Sequence, residues 1–402
     1  MANRYWVGGT GTWNTTSTAN WSTTSGGASG ASAPGAADAA LFNANCGTGT
    51  ITIGENVTIL SMTLSGAAIT TIDWNNKIVS LAGNALNLYV GNSTVAMLNN
   101  PTITATYAGS TGTRTINGGI GVSEANAVSI NVTGGTDIVT LGSGNNVYKN
   151  VNFTGFSGTL NAGNRYFYGG LVYTSGMTLQ AVAWGTHAFL ATSGTYTITM
   201  AGKSPDGAFT FNGAAATWQF SDALVIPSTR AVTFSAGTLK FKNGTTNSFG
   251  SFVTSGTTQK TLQSTLAGSQ ATVSQTTGTV SATYLTIKDI NATGGATWNA
   301  YVTSNNVNDG NNAGWDFYLP SDSIYDSLRL RGYTGTVTDM LLQYYKYNGA
   351  TSNSIQDAEV QYLVIKGFTT GSNVDRWFAY LSSLGFTGTV SDMLFNYWKD
   401  PV

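Results

Sequence analysis

Nine carboxylates lie between residues 49 and 317: Glu55, Asp73, Glu124, Asp137, Asp206, Asp222, Asp289, Asp309 and Asp316. Glycoside hydrolysis needs two carboxyl groups facing each other across a groove, one to protonate the leaving oxygen and one to attack or to activate water. Asp206 and Asp222 stand sixteen residues apart, too close for equivalent positions on adjacent passes of a chain that uses ~20 residues per pass. Asp73, between Ile72 and Trp74, reads as a turn hydrogen-bonder before it reads as a catalytic acid. His187 is the only histidine and Cys46 the only cysteine, so Ser-His-Asp triads, Cys-His dyads and zinc sites lack members. Cys46 reads as a small buried hydrophobe. Asn306, Asn308, Asp309 and Asn311 could offer oxygen ligands, but they lack the bidentate Glu and the spacing of an EF-hand. No catalytic, cofactor-binding or metal-ligating residue is expected.

Composition narrows the partners. Charged residues are 9% of the 402 and the net charge is −1, so no electrostatic footprint for nucleic acid or acidic lipid exists. No apolar run reaches the ~18 residues of a membrane span. The segment Met1 to Trp6 lacks the apolar core of a signal peptide. A 41% hydrophobic content with so little charge argues against disorder.

The elements that must position any site are short strands. Val57 to Ser65, Ile69 to Trp74, Ile78 to Leu81, Leu86 to Val90 and Thr94 to Leu98 are β-branched, aromatic or aliphatic runs with period-2 alternation. Gly, Asn or Ser closes each one. Val128 to Val132, Tyr196 to Met200, Phe209 to Phe211, Val232 to Phe234 and Leu239 to Phe241 continue the texture, which runs to about Phe317. One texture over some 270 residues exceeds the usual single barrel or sandwich. It fits a mostly β chain whose residues 49–317 form a parallel β-solenoid of on the order of ten coils. Two or three tandem sandwiches are the competing architecture.

Residues 1–48 differ. Trp6, Trp13 and Trp21, spaced by Gly and Asn, suit an N-terminal cap shielding the first coil, since an open end exposes strand edges and core. A sugar-stacking platform is the functional alternative for these indoles. Phe153, Phe156, Tyr166, Phe167, Tyr168 and Tyr173 likewise read as an internal aromatic stack, with an exposed glycan-binding strip as the alternative.

After Pro320 the character changes. Residues 321–402 carry 14 charges in 82 positions against 21 in the 320 before them, which marks a domain boundary. We assign 318–321 as a linker and 322–402 as an all-α domain of about five short helices. Asp recurs at 322, 339, 357, 375 and 392, and Gly follows ten residues on at 332, 349, 367 and 385. An Asp ahead of an apolar-periodic run is an N-cap signal. A Gly behind it is a C′ signal, because Gly takes the left-handed conformation without penalty. Asp322, Asp339, Asp357, Asp375 and Asp392 are therefore expected to cap helices, and Gly332, Gly349, Gly367 and Gly385 to end them. The aromatic after each Gly is expected to pack back on its own helix. Helices this short need one another for stability.

Three stretches carry resemblances. Trp6 to Gly9, Trp13, Asn20 to Trp21, Pro34 and Ala37 to Phe42 resemble the start of many large secreted or virion surface proteins that lead into a β-solenoid. Gly294-Gly-Ala-Thr-Trp298 with Gly314-Trp-Asp-Phe317 resembles terminal segments of phage and bacterial surface proteins. The repeat Gly-(Tyr/Phe)-Thr-Gly-Thr-x-x-Asp-Met-Leu, at Gly332 and Gly385, resembles C-terminal modules of bacteriophage virion proteins. The resemblance implies a virion appendage, a tail fibre, spike or head fibre, assembled in the host cytoplasm. Its partners would be other virion proteins and a host cell-surface glycan or protein, and a homotrimer is one assembly open to it. A polysaccharide-degrading tailspike and a bacterial surface adhesin are the alternatives.

Overall fold

Period-2 runs separated by tight corners can pair with one another a full circuit later, and here they do. The computed structural model describes residues 2–82, 87–91, 95–105, 113–116, 119–120, 124, 127–142, 146–161, 163–317 and 323–399. Its body is a parallel β-solenoid of about 11 coils. Val57 stands opposite Val79, Val79 opposite Ile103, and Ile103 opposite Ile130, all in parallel register. After the first coil, where Ala2 meets Asp38 and Gly11 meets Ile51, thirty-six and forty residues on, one circuit takes from nineteen residues, Tyr148 to Phe167, to twenty-seven, Ile103 to Ile130. Tandem sandwiches would need extended antiparallel sheets. Among the described residues the antiparallel pairs are short: Trp21–Ser22 on Ala2–Trp6, and Gly119–Ile120 on Asn146–Asn152.

Alternation sends every second side chain inward, and like residues meet a coil apart. Phe167, Phe189 and Phe211 stack with centroids 5.0 Å apart at each step, close to the ~4.8 Å strand spacing. Phe220 and Phe241 stack likewise at 5.3 Å. Corners are turned by residues that accept a left-handed backbone, such as Asn75, Asn76, Asn99 and Asn100, with φ of 45–58°. Their side chains also stitch successive corners, Asn100 Nδ2 donating to Asn76 Oδ1 at 2.6 Å.

The N-terminal segment is part of this stack. Ala2–Trp6 pairs in parallel with Asp38–Phe42, and Gly11–Trp13 with Thr50–Ile53. The expected cap is thus itself the first coil, without a break at residue 48. Trp6, Trp13 and Trp21 are at most 1% exposed and pack around Phe42, so they fill the core and form no sugar platform. The capping element is smaller than expected: Trp21–Ser22 lies antiparallel along the free edge of Ala2–Trp6.

By compactness the chain divides into two units, Met1–Trp298 with Val307–Trp315, and Asn299–Asn306 with Asp316–Val402. The proposed linker 318–321 and Asp322 lie outside the described residues. The second unit contains five helices: α1 (Ser323–Leu330), α2 (Val337–Tyr347), α3 (Ile355–Ile365), α4 (Asn373–Ser383) and α5 (Val390–Lys399). Each packs on the next, and α5 returns onto α1, so the helices close into a ring.

Candidate functional site

The residues singled out in the tail are brought together by one local rule repeated. Helices α2 to α5 begin three residues earlier than the Asp-cap reading expects. The N-caps are hydroxyl residues, Thr336, Ser354 and Ser372, and Asp339, Asp357 and Asp375 are the third residues of their helices. Thr336 Oγ1 accepts from the Asp339 amide while the Asp339 carboxylate accepts from the Thr336 amide, a reciprocal capping box. Ser372 with Asp375 and Thr389 with Asp392 repeat it. At α3 Ser354 accepts from the Asp357 amide, but its own amide turns to Ser352 Oγ. A hydroxyl wins the N-cap because its short arm reaches the third amide, leaving the longer carboxylate to reach back. The hydrogen bonds from Thr336, Ser372 and Thr389, side chain first and then amide, hold the three box carboxyls below their usual range.

The glycines stand as expected. Gly332, Gly349, Gly367 and Gly385 have φ of 87–101°. Gly332 donates to the Arg329 carbonyl and Tyr333 to that of Leu328, and the same pair of bonds recurs at the other three, which is the Schellman ending. The aromatic after three of these glycines also reaches forward, while Gly349 is followed by Ala350. Tyr333, Phe368 and Phe386 contact Tyr344, Tyr380 and Tyr397, each on the following helix, because the reversed chain already points toward that helix.

Those tyrosines were missed by the sequence reading. Tyr344, Tyr362, Tyr380 and Tyr397 each stand five residues after a repeat Asp, and their hydroxyls converge where α2, α3, α4 and α5 face inward. Oxygen separations are 3.2 Å for 344–362, 3.1 Å for 362–380, 3.4 Å for 380–397, 2.7 Å for 344–397 and 2.8 Å for 362–397. Ser327 holds the equivalent position on α1, fully buried, with no partner for its Oγ. Burial, then hydrogen bonding within the hub, pushes the Tyr362 phenol far above its ordinary value, and Tyr397 follows for the same first reason. Tyr362 and Tyr397 therefore stay neutral at physiological pH, and the hub serves as a hydrogen-bonded bolt. The signal that could have found it is the same 17–18 residue period that revealed the Asp series.

In the solenoid the acids are spread out and used between coils. Asp73 accepts from Asn99 Nδ2 (2.8 Å), Asp206 from Arg230 Nε (2.6 Å), Asp222 from the Met200 amide (2.8 Å), Asp289 from Asn311 Nδ2 (2.6 Å) and Asp309 from Lys288 Nζ (3.0 Å). Glu55 takes the Thr15 amide and hydroxyl, and Glu124 the Thr192 hydroxyl. The oxygen-rich loop is engaged too: Asn308 Oδ1 accepts from Gly310 and Asn312, and Asn306 donates to the Tyr301 carbonyl. Phe153, Phe156, Phe167, Tyr168 and Tyr173 are buried and Tyr166 partly so, an internal stack and not a strip. A surface hollow of about 320 Å³ lies between Leu98, Asn99, Asn100, Pro101, Glu124 and Lys149.

The fold thus defines the class: a parallel β-solenoid and a closed ring of five short helices. No protein-family model matches the chain, and no curated protein or solved structure is detectably similar to it.

Proposed function

We propose that this chain is a structural virion protein of a bacteriophage, a non-enzymatic fibre or spike serving host attachment or particle decoration. A β-solenoid is compatible with a fibre, a spike or a tailspike alike. The observation that favours a non-enzymatic role is the use of the carboxylates. Asp73, Asp206, Asp222, Asp289 and Asp309 each bind a residue 21 to 26 positions away, hence one coil distant, and are committed to holding the stack. The phage assignment rests on the resemblance of the tail repeat. In this reading the helical ring docks on other virion proteins or meets a host glycan or protein, and the particle carries the chain singly or as a homotrimer.

Immunogold labelling of particles from a lysate, with antibody to the purified chain, tests the assignment. Label on an appendage supports it; label confined to bacterial envelopes replaces it with an adhesin. Incubation with capsular and lipopolysaccharide panels tests the non-enzymatic part. Oligosaccharide release that disappears in Asp73→Asn or Asp206→Asn would make the chain a depolymerase.

A further inference from the structure

The chain has one histidine, and it lies inside the solenoid core. His187 opens the strand His187–Phe189, which pairs in parallel with Arg165–Phe167 on the coil before and with Phe209 to Phe211 on the coil after. Its imidazole is 0% exposed. It stacks among three rings: Phe209 at 4.7 Å and 2°, Trp184 at 5.7 Å and 8°, and Phe167 at 6.0 Å and 20°. Nε2 lies 3.1 Å from the hydroxyl of buried Tyr173. A ring packed in this way serves as one more rung of the aromatic ladder for as long as it carries no charge.

The surroundings favour the uncharged form. Arg165 stands beside His187 in register, 1% exposed, with its guanidinium 4.7 Å from the Trp184 ring centre. A guanidinium does not give up its proton. A charged imidazole would therefore put a second cation one coil from the first, away from water, where like charges repel most strongly. Tyr173 and Tyr148 also face this pair. Burial pushes the Tyr173 phenol up to about 12, and Tyr148 donates to the Ile116 carbonyl, so neither brings a negative charge. The carboxylates of the adjoining coils are engaged elsewhere, Asp206 with Arg230 and Asp222 with the Met200 and Ala201 amides. Lys203 donates to the Ser175 carbonyl at the surface. Burial first and Arg165 second hold the imidazole pKa well below its ordinary 6.5, and the Gly185 carbonyl opposes them as the weakest of the three.

We propose that His187 is an acid-sensitive latch on the coils from Arg165 to Phe211. A fully buried nitrogen meets a proton only when its strand opens. Above pH 6.5 the exposed imidazole stays neutral and the strand recloses. Below it the imidazole becomes a cation that does not return beside Arg165, so the open form accumulates. The open state takes a proton that the folded state refuses. Stability is therefore whole above 6.5 and is lost as pH falls from there toward the lower folded value. Carboxylates ordinarily titrate below about 5, so with a single histidine the window above that belongs to His187.

The test unfolds the full chain in urea at a series of pH values from about 7.5 to about 5, at fixed ionic strength, with the strand signal as readout. The folding equilibrium constant should fall by up to about tenfold per pH unit below 6.5. Hydrogen exchange, corrected for its intrinsic pH dependence, should lose protection in 165–211 before the other coils. His187→Phe, which continues the aromatic stack, should abolish the slope. His187→Gln, uncharged and able to meet Tyr173, takes its place if the first variant does not fold. An equilibrium constant that is flat across the range would overturn the proposal. So would a slope that survives the substitution, protection lost evenly along the solenoid, or an imidazole resonance that titrates near 6.5 while 165–211 stays protected.

Discussion

The hydroxyl oxygens of Tyr344 and Tyr397 lie 2.7 Å apart, one on α2 and the other on α5. Tyr362 reaches both, and Tyr380 joins from α4. Helices two to three turns long gain little from their own hydrogen bonds. Four phenols meeting at one place tie α2 to α5 through the middle of the ring, and the return of α5 onto α1 completes it.

The hub should make the helical unit alkali-sensitive. Unfolded tyrosines titrate near 10.0, while burial raises Tyr345, Tyr362 and Tyr397 above that value in the folded state. Below pH 10 both states are protonated and the stability is whole. Above it the unfolded state releases protons first, so stability falls as pH rises. In a pH titration, exposed tyrosines such as Tyr347 ionise first, and the remaining phenolate absorbance should appear together with the loss of helical circular dichroism. All tyrosines ionising while helicity is unchanged would contradict the burial of the hub.

Tyr362→Phe keeps the ring and removes one of the two hydroxyls, with Tyr397, that meet all the others in the hub. It should cost about 1–3 kcal/mol, because partners are left unsatisfied, and should blunt the alkaline transition. Ser327→Ala should do the opposite. It deletes a buried hydroxyl without a partner, so urea unfolding should find it neutral or stabilising by up to about 1 kcal/mol.

The capping boxes invert the expectation for their two members. Thr336→Ala should cost about 1 kcal/mol, and Asp339→Ala, at an exposed carboxylate, less. Gly349→Val, at φ 101°, should cost about 1–2 kcal/mol. Combined, they should lower the melting point of the helical signal while the strand signal melts unchanged. A single shared melt would refute independent units. The box carboxyls sit below the unfolded value of 3.8, so their contribution is whole above that pH and is lost as pH falls through the lower folded value.

In the solenoid, Phe211→Ala should be the severe change. Phe211 is fully buried and touches Phe189, Trp218 and Phe220, so its loss should cost about 3–5 kcal/mol. A chemical-denaturation midpoint unchanged from the parent would mean the aromatic ladder does not hold the coils.

The solenoid and the helix ends were legible because both are written in local physics. Alternation in Val128 to Val132 or Phe209 to Phe211 declares a strand with one buried face, and Gly332 or Gly385 declares a left-handed exit, whatever the rest of the chain does. The capping boxes were legible too, since Thr336-x-x-Asp339 and Ser372-x-x-Asp375 carry the signature; the carboxylate drew attention from the hydroxyl that wins the cap.

Other assignments depended on which residues meet across coils or around the ring. Circuits of nineteen to twenty-seven residues drift too much for spacing alone to place Asp206 on Arg230 or Arg165 beside His187. Trp6, Trp13 and Trp21 look alike as cap, platform or core until Ala2–Trp6 is seen paired with Asp38–Phe42. The period of the tyrosines was in the sequence from the start. That their hydroxyls share one point follows only from α5 closing onto α1, because the direction a side chain faces on a short helix is set by the neighbours that bury it.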